Sequence, residues 1–143
     1  MKNIYLTLSL CLLISLTGCK KDSPEAREAK TTFREKLIGK WTFTRLSRTR
    51  YFAGNQESET GDLKLNEGDY IEFREDGSIT FVTFSKTLNG TFNILSENEF
   101  ALKTSIGTSR STVVTLTTKE LVFTDQIVDD GQTMSASTYY ATK

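Results

Sequence analysis

The chain has 143 residues, and its 18 Lys and Arg residues balance 18 Asp and Glu residues, so its formal net charge at neutral pH is zero. This balance argues against a nucleic-acid-binding protein, which normally presents a basic face. The sequence contains no histidine, which excludes the Ser-His-Asp triad, histidine general bases and the usual zinc sites.

Residues 1–18 have the composition of an export signal. Lys2 supplies a positive charge, and residues 4–16 form an apolar run that is too short for a transmembrane helix. The sequence Leu16-Thr17-Gly18-Cys19 resembles the lipobox of bacterial lipoproteins, which implies cleavage before Cys19 and acylation of its thiol. An ordinary secretory signal is the alternative. Because Cys11 lies inside the signal, only Cys19 remains, and no intramolecular disulfide is predicted.

Residues 19–23 are predicted to be the lipidated cysteine and a hydrophilic tether. Two or three acyl chains on Cys19 would give a stable membrane anchor. Lys20, rather than an aspartate, follows the cysteine, so the best-known signal for retention in the inner membrane is missing and the outer membrane is the expected location. Whether the protein faces the periplasm or the cell surface is left open.

A short helix is predicted to begin at Pro24. Ser23 suits the N-cap position and Pro24 the first helical position. An apolar stripe with helical spacing follows, formed by Ala26, Ala29, Phe33 and Leu37. Gly39 is predicted to end the helix in a left-handed conformation.

After Gly39 the apolar pattern changes to the period of two that is typical of strands. The first strand is predicted from Trp41 to Phe52, with a bulge where the alternation slips near Leu46. A polar stretch from Gly54 to Gly68 then reads as the longest loop, a candidate lid.

Seven further strands with short links complete the prediction. Turn residues such as Asp76-Gly77 and Asn89-Gly90 separate them. The predicted strands span 70–73, 78–85, 91–95, 100–106, 112–117, 121–128 and 134–142. A meander of eight strands can hide its edges by closing into a barrel.

The order of these motifs resembles the lipocalin-like lipoproteins of Gram-negative bacteria. The motifs are Gly39-Lys40-Trp41, residues 70–77, residues 90–94, residues 114–117 and the pair Tyr139-Tyr140. The resemblance implies an all-β domain over residues 24–143, an antiparallel up-and-down barrel of about eight strands preceded by one short helix. It also implies that Gly39 and Trp41 close one end of the barrel, with Trp41 beneath a basic side chain, for which the chain offers Lys143.

The barrel predicts binding without catalysis or cofactor. A barrel of eight strands either holds one small ligand or is filled by its own side chains. The first reading predicts a small apolar ligand at the end opposite Trp41, where Leu63, Leu65 and Tyr70 would line the mouth. The alternative is a protein-protein interaction module, an assembly subunit or an inhibitor, whose filled barrel binds another envelope protein.

Three sets of charged residues are further candidates for a functional site. Arg48 and Arg50 point the same way along the first strand and Arg45 the opposite way; the three could bind an anion or pair with acids of the following loop. Asp125, Asp129 and Asp130 lack the ligand spacing of a dedicated calcium site, and no metal is predicted. Glu97 and Glu99 give no reason to expect acid-base catalysis.

Overall fold

The computed structural model describes residues 23–52, 58–129 and 133–143. The predicted signal, Cys19 and most of the tether lie outside this part of the chain. Helix α1 spans Pro24–Leu37, and the Ser23 hydroxyl accepts a hydrogen bond from the Ala26 N–H at 3.2 Å, as an N-cap does. The helix ends at Leu37 with Ile38 as its C-cap, and Gly39 follows directly with a φ of +127°, at the position where the sequence predicts that a glycine ends the helix.

Nine strands follow the helix. They are β1 Gly39–Phe52, β2 Ser58–Leu63, β3 Tyr70–Phe73, β4 Ser78–Thr83, β5 Lys86–Ile94, β6 Glu99–Thr104, β7 Gly107–Leu116, β8 Glu120–Asp129 and β9 Thr133–Thr142. Strands β3 to β9 pair in chain order, and β1 pairs with β9 to close the sheet.

Strands β2 and β3 share one position in the barrel. Both pair antiparallel with the same β1 strand, β3 along Gly39 to Thr42 and β2 along Leu46 to Tyr51. The barrel therefore has eight strand positions, all antiparallel. The predicted architecture, an eight-stranded antiparallel up-and-down barrel preceded by one helix, is confirmed.

The prediction of one long loop from Gly54 to Gly68 is wrong in part, because residues 58–63 form β2. Their polar sequence gives no apolar alternation, and the strand exists because its backbone completes the hydrogen bonds of β1. Leu63 and Tyr70 consequently lie in strands, and only residues 64–69 connect them. Residues 54–57 of the predicted lid lie outside the described chain.

Two predicted turns are also wrong. Leu88, Asn89 and Gly90 lie within β5, and the turn before this strand is formed by Phe84 and Ser85, whose φ angles are +50° and +62°. Gly90 is needed for close strand approach, since a Cβ atom there would meet the Lys103 carbonyl oxygen at 2.1 Å. Ile106 lies in the turn before Gly107, not in a strand with Phe100, and is 79% exposed.

Two bulges shift the phase of the strands. In β1 the register with β9 shifts between Phe43 and Arg45, close to the bulge predicted near Leu46. In β7 the register with β8 shifts between Val113 and Thr115, so Val113 is buried while Val114 is 68% exposed. Val114 and Leu116 therefore do not share a face of the sheet, as simple alternation would have them do.

Helix α1 covers one end of the barrel, which we call the lower end. Phe33 and Leu37 are buried in the same cluster as Trp41. The Arg34 guanidinium donates a hydrogen bond to the Glu75 carbonyl oxygen at 2.8 Å and lies 4.9 Å from the centre of the Phe92 ring. Within the described residues, no helix is long and apolar enough to cross a membrane.

Candidate functional site

The lower end of the barrel is occupied by Trp41. Its side chain is fully buried, and the indole Nε1 donates a hydrogen bond to the Leu37 carbonyl oxygen at 2.7 Å. The Lys143 Nζ lies 4.4 Å from the centre of the indole ring and donates to the Ile38 carbonyl oxygen at 2.7 Å. The indole N–H and the π surface of the ring are therefore both in contact with other groups of the protein.

Gly39 stands beside this contact. Its φ of +127° is a conformation that other residues rarely adopt, and a Cβ atom there would meet the Lys143 Cε at 2.9 Å. Gly39 therefore leaves room for the lysine side chain to reach Trp41. The structure thus places Gly39 and Trp41 side by side at the lower end, and their structural part in closing the barrel stays a prediction.

Strand register aligns inward-facing residues into rows across the barrel wall. One row, which we call the apolar row, runs across β7, β8, β9, β1 and β2. Its centre is a stacked pair, with the Phe123 and Tyr139 ring centres 4.8 Å apart and their planes at 12°. The row consists of Val113, Phe123, Tyr139, Leu46 and Leu63.

The next row above it is different in character. Ser111 pairs with Asp125, Asp125 with Ser137, and Ser137 with Arg48, which in turn pairs with Gly61 of β2. Each residue stands two positions along its strand from a member of the apolar row, so both rows face the interior. We call Ser111, Asp125, Ser137 and Arg48 the polar row, and the barrel from this row upward the upper half.

Polar atoms without partners are concentrated in the polar row. Among the residues that the structure describes, four buried side-chain atoms lack a hydrogen-bond partner: Arg48 Nε, Ser111 Oγ, Asp125 Oδ1 and Thr83 Oγ1. The first three belong to the polar row. Because an unsatisfied buried polar group costs about 1–3 kcal/mol, this concentration requires an explanation.

Burial also perturbs the titration of the polar row. It raises the pKa of Asp125 to about 6, against the opposing effect of a hydrogen bond with the Ser109 side chain. Burial likewise raises the pKa of Tyr139 to about 12, with the Asp125 carboxylate adding to the rise and Arg48 opposing it. Asp125 thus changes charge near neutral pH, whereas Tyr139 stays a neutral phenol.

A recess of about 160 Å³ opens beside the polar row. It is lined by Arg48, Arg50, Gly61, Asp62 and Leu63. The Arg50 side chain is exposed, and its backbone pairs with Ser135, two positions along from the partner of Arg48. Two guanidinium groups therefore face one small space.

The predicted mouth residues are separated by the structure. Leu63 lines the recess, whereas Leu65 packs against the core cluster. Tyr70 lies on the outer face of β3, because Lys40 on that face places its Nζ 4.0 Å from the centre of the Tyr70 ring. Of the three, only Leu63 is brought to the recess.

The three arginines of β1 behave differently from one another. Arg45 lies outside the barrel, where its Nε contacts Asp62 Oδ1 at 3.0 Å and its guanidinium carbon lies 5.1 Å from the Tyr140 ring centre. The predicted pairing with a following acid is confirmed for this residue. Arg48 and Arg50 share the opposite, inner face, as predicted.

The acidic candidates do not form a metal site in the described part of the chain. Within residues 23–52, 58–129 and 133–143, no three cysteine or acidic side chains are placed to hold a metal ion. Asp125 faces the interior, while Asp130 lies outside the described residues and the side chain of Asp129 is not described. A hydrogen bond from Arg110 lowers the pKa of Glu99.

A second, larger groove lies outside the barrel wall. Its volume is about 540 Å³, and it separates α1 from β7 and the turn before β6. Ala29, Phe33, Val113, Val114 and Leu116 give it an apolar floor, and Glu25, Glu28, Lys36 and Glu97 lie at its edges.

Comparison with known proteins gives little beyond the fold. No family model matches the sequence, and no curated protein matches it. Among solved structures, the chain is similar to a bovine odorant binding protein (a deswapped triple mutant), with a TM-score of 0.48 and 16% identity over 76% of this chain and 74% of that chain. Similarity at this level assigns neither a family nor a ligand.

Sequence reasoning missed most of the polar row. It considered Asp125 only as a calcium ligand, and it gave Ser111 and Ser137 no part. The available signal is a serine at every second position in two strands, Ser109 and Ser111 in β7 and Ser135 and Ser137 in β9. Small polar residues at period two, where apolar ones are expected, indicate an interior that is not closed by packing.

Proposed function

We propose that the protein is a lipid-anchored lipoprotein of the outer membrane that binds a small ligand in the upper half of its barrel without catalysing a reaction. The observation that carries the proposal is the polar row, where Arg48, Ser111 and Asp125 hold buried polar atoms without partners. Arg48 also lines the recess. Concave sites with a few convergent polar groups are typical of small-molecule binding.

The lower half supports the same conclusion by contrast. Phe73 lies edge-on to Phe92 and Phe100, with ring centres 5.1 and 5.4 Å away, and the Phe43 ring lies 5.4 Å from Phe81. These rings fill the interior near Trp41 with one another. A ligand therefore finds its space above the apolar row, and the predicted apolar ligand has only Leu63 of the three mouth residues to contact there.

Native mass spectrometry of the full-length protein, purified gently from its host, tests the binding. A small molecule that co-purifies with the wild type, and is lost when the polar row is altered by Ser111→Leu, is the expected result. A wild-type protein that carries no small molecule and takes up none from a metabolite extract would contradict the proposal.

The anchor is tested separately, because the lipid and the barrel are independent parts of the proposal. Cys19→Ala removes the thiol that the lipobox resemblance marks for acylation. The variant is expected to leave the membrane fraction and to fold as before, with Cys11→Ala as the control that remains on the membrane. Membrane association of Cys19→Ala at the wild-type level would refute lipidation.

One observation favours the alternative of a protein-protein interaction module. The groove between α1 and β7 has an apolar floor, and Val114 at its edge is 68% exposed. An apolar strip of this kind can dock a partner protein. Capture of one stoichiometric envelope protein that is lost in Val114→Asp, with no ligand in the barrel, would select this function over ligand binding.

A further inference from the structure

We propose that the recess beside Arg48 and Arg50 binds a small hydrophilic anion, through an oxyanion group held by the two guanidinium groups. This inference rests on the proposed ligand-binding function and names the chemical class of the ligand. It differs from the sequence-based expectation of an apolar ligand.

The first argument is the direction of the arginines. An unbroken β1 would keep the side of Trp41 and Phe43 inward at Arg45 and Ser47, and it would point Arg48 and Arg50 outward. The bulge between Phe43 and Arg45 reverses this phase. Bulges commonly re-aim side chains at functional positions, and this one turns two cations into the barrel.

The second argument is that the arginines on the two faces of β1 differ in their ion-pair partners. Arg45, on the outer face, has an ion-pair partner in Asp62. Arg48 faces Asp125 across Ser137, yet among the described residues the two form no ion pair, and each retains a buried atom without a partner. A guanidinium presents a planar fork of donors that fits a carboxylate or phosphate group, so a bound oxyanion would satisfy Arg48.

The third argument is size. A recess of about 160 Å³ has room for about five water molecules. Below the recess, the rings of Phe43, Phe123 and Tyr139 pack against one another, with ring centres 4.8 to 6.5 Å apart. The size of the recess therefore suits a compact anion.

Two further members of the polar row, Ser111 and Asp125, lie on β7 and β8 and do not line the recess themselves. Ser111 is fully buried, and its Oγ has no partner among the described residues. Asp125 has its pKa raised toward neutrality by burial, so in its protonated form the carboxyl can donate a hydrogen bond. With Arg48 and Arg50 cationic and Asp62 anionic, the residues that line the recess carry one positive charge in excess, and the protonated form of Asp125 adds no negative charge near them.

Isothermal titration calorimetry on the full-length protein tests the inference with two anionic probes and one neutral probe. Succinate and inorganic phosphate represent the two oxyanion groups, and 1-octanol represents an apolar ligand. We expect at least one anion to bind, with affinity that falls as salt concentration rises. In Arg48→Met the affinity should fall about tenfold to a hundredfold, the effect of losing a charged hydrogen bond. Arg110→Met removes a cation that pairs with Glu99 and does not line the recess, so this variant should bind as the wild type does.

Two further variants guard against misfolding. If Arg48→Met is unfolded by circular dichroism, Arg50→Met and Arg48→Lys replace it; the first removes a cation from the rim, and the second keeps the charge but loses the planar fork. Weaker anion binding in either supports the site. The tighter of the two anions identifies the group that the arginines hold.

The contrary outcomes separate this inference from the proposed function. Binding of octanol without binding of either anion would overturn the anion site and keep ligand binding. Anion binding that is equal in the wild type, Arg48→Met and Arg50→Met would also overturn it. A wild type that binds none of the three probes, and carries no small molecule in native mass spectrometry, would overturn both.

Discussion

The two neighbouring rows of the barrel interior follow opposite rules. In the apolar row, Tyr139 stacks on Phe123 at 4.8 Å and also lies 5.2 Å from the Phe43 ring, so each ring packs against others. In the polar row, two residues further along the same strands, Arg48 and Asp125 leave buried atoms without partners. Folding is stabilised by the first row and opposed by the second. Groups that folding does not satisfy indicate selection for another purpose.

Both bulges lie next to the apolar row, on the side away from the polar row. Phe43 and Arg45 flank the bulge in β1, and Val113 and Thr115 flank the bulge in β7. Without the second bulge, the side of Leu116 would continue through Val114, and Ser111 would point outward. The bulge in β1 thus turns Arg48 into the interior, and the bulge in β7 turns Ser111 into it. The polar row is therefore positioned by the backbone and is not an accident of packing.

The largest predicted effect is in the lower half. Phe73→Ala removes a fully buried ring that lies edge-on to Phe92 and Phe100. The free energy of unfolding is expected to fall by about 3–5 kcal/mol, measured by urea denaturation. Val114→Ala, at a largely exposed site, is the control and should change it by less than about 0.5 kcal/mol. An equal fall in the free energy of unfolding in the two variants would contradict the conclusion that the lower half stabilises the fold.

In the upper half we expect a smaller effect on the free energy of unfolding, and there removing a charge, that of Asp125, stabilises the fold. The pKa of Asp125 is raised from 3.8 to about 6 in the folded protein, so the folded state binds the proton more tightly than the unfolded state does. The contribution of this group to stability therefore falls as the pH rises from about 4 to 6. A pKa difference of this size corresponds to a loss of about 3 kcal/mol in the free energy of unfolding. Because the carboxyl is partly exposed, solvent screening reduces the expected loss to about 2 kcal/mol.

Asp125→Asn isolates this contribution. At pH 7.5 the variant is expected to be more stable than the wild type by about 1–2 kcal/mol, and at pH 3.5 the two should be equal. Urea denaturation at both pH values gives the difference, in which the other carboxylates cancel. Thr124→Val, beside Asp125 on the outward side of β8, is a control whose effect should not change with pH. A variant that is less stable than the wild type at pH 7.5 would show that Asp125 supports the fold.

The sequence predicts the lower half better than the upper half, for a physical reason. Apolar alternation identifies the strands whose inner faces pack, and the helix, the barrel and the burial of Trp41 follow from it. Strand β2 has no such alternation, and the turn at Phe84 and Ser85 has no glycine. Both exist because the rest of the barrel requires them.

The polar row depends on register, which local sequence does not contain. Alternation alone predicts that Arg48 and Arg50 share a face. It cannot predict that Asp125 and Ser111 align with Arg48, because that alignment depends on three strand pairings and on a shift of one residue at each bulge. The candidate site could therefore be found only from the assembled barrel.

The smallest predicted effect compares two hydroxyl groups in adjacent strands. Ser111 Oγ is buried without a partner among the described residues, whereas Thr124 Oγ1 is 3.0 Å from Thr138 Oγ1. Ser111→Ala removes an unsatisfied group and is expected to raise the free energy of unfolding by up to about 1 kcal/mol, while Thr124→Val removes a partner and should lower it by about 1 kcal/mol. Thermal and urea denaturation of both variants without added anion give the signs. If Ser111→Ala destabilises the protein as much as Thr124→Val does, the Ser111 hydroxyl is satisfied in solution, and the contrast between the two rows loses one of its three unpartnered atoms.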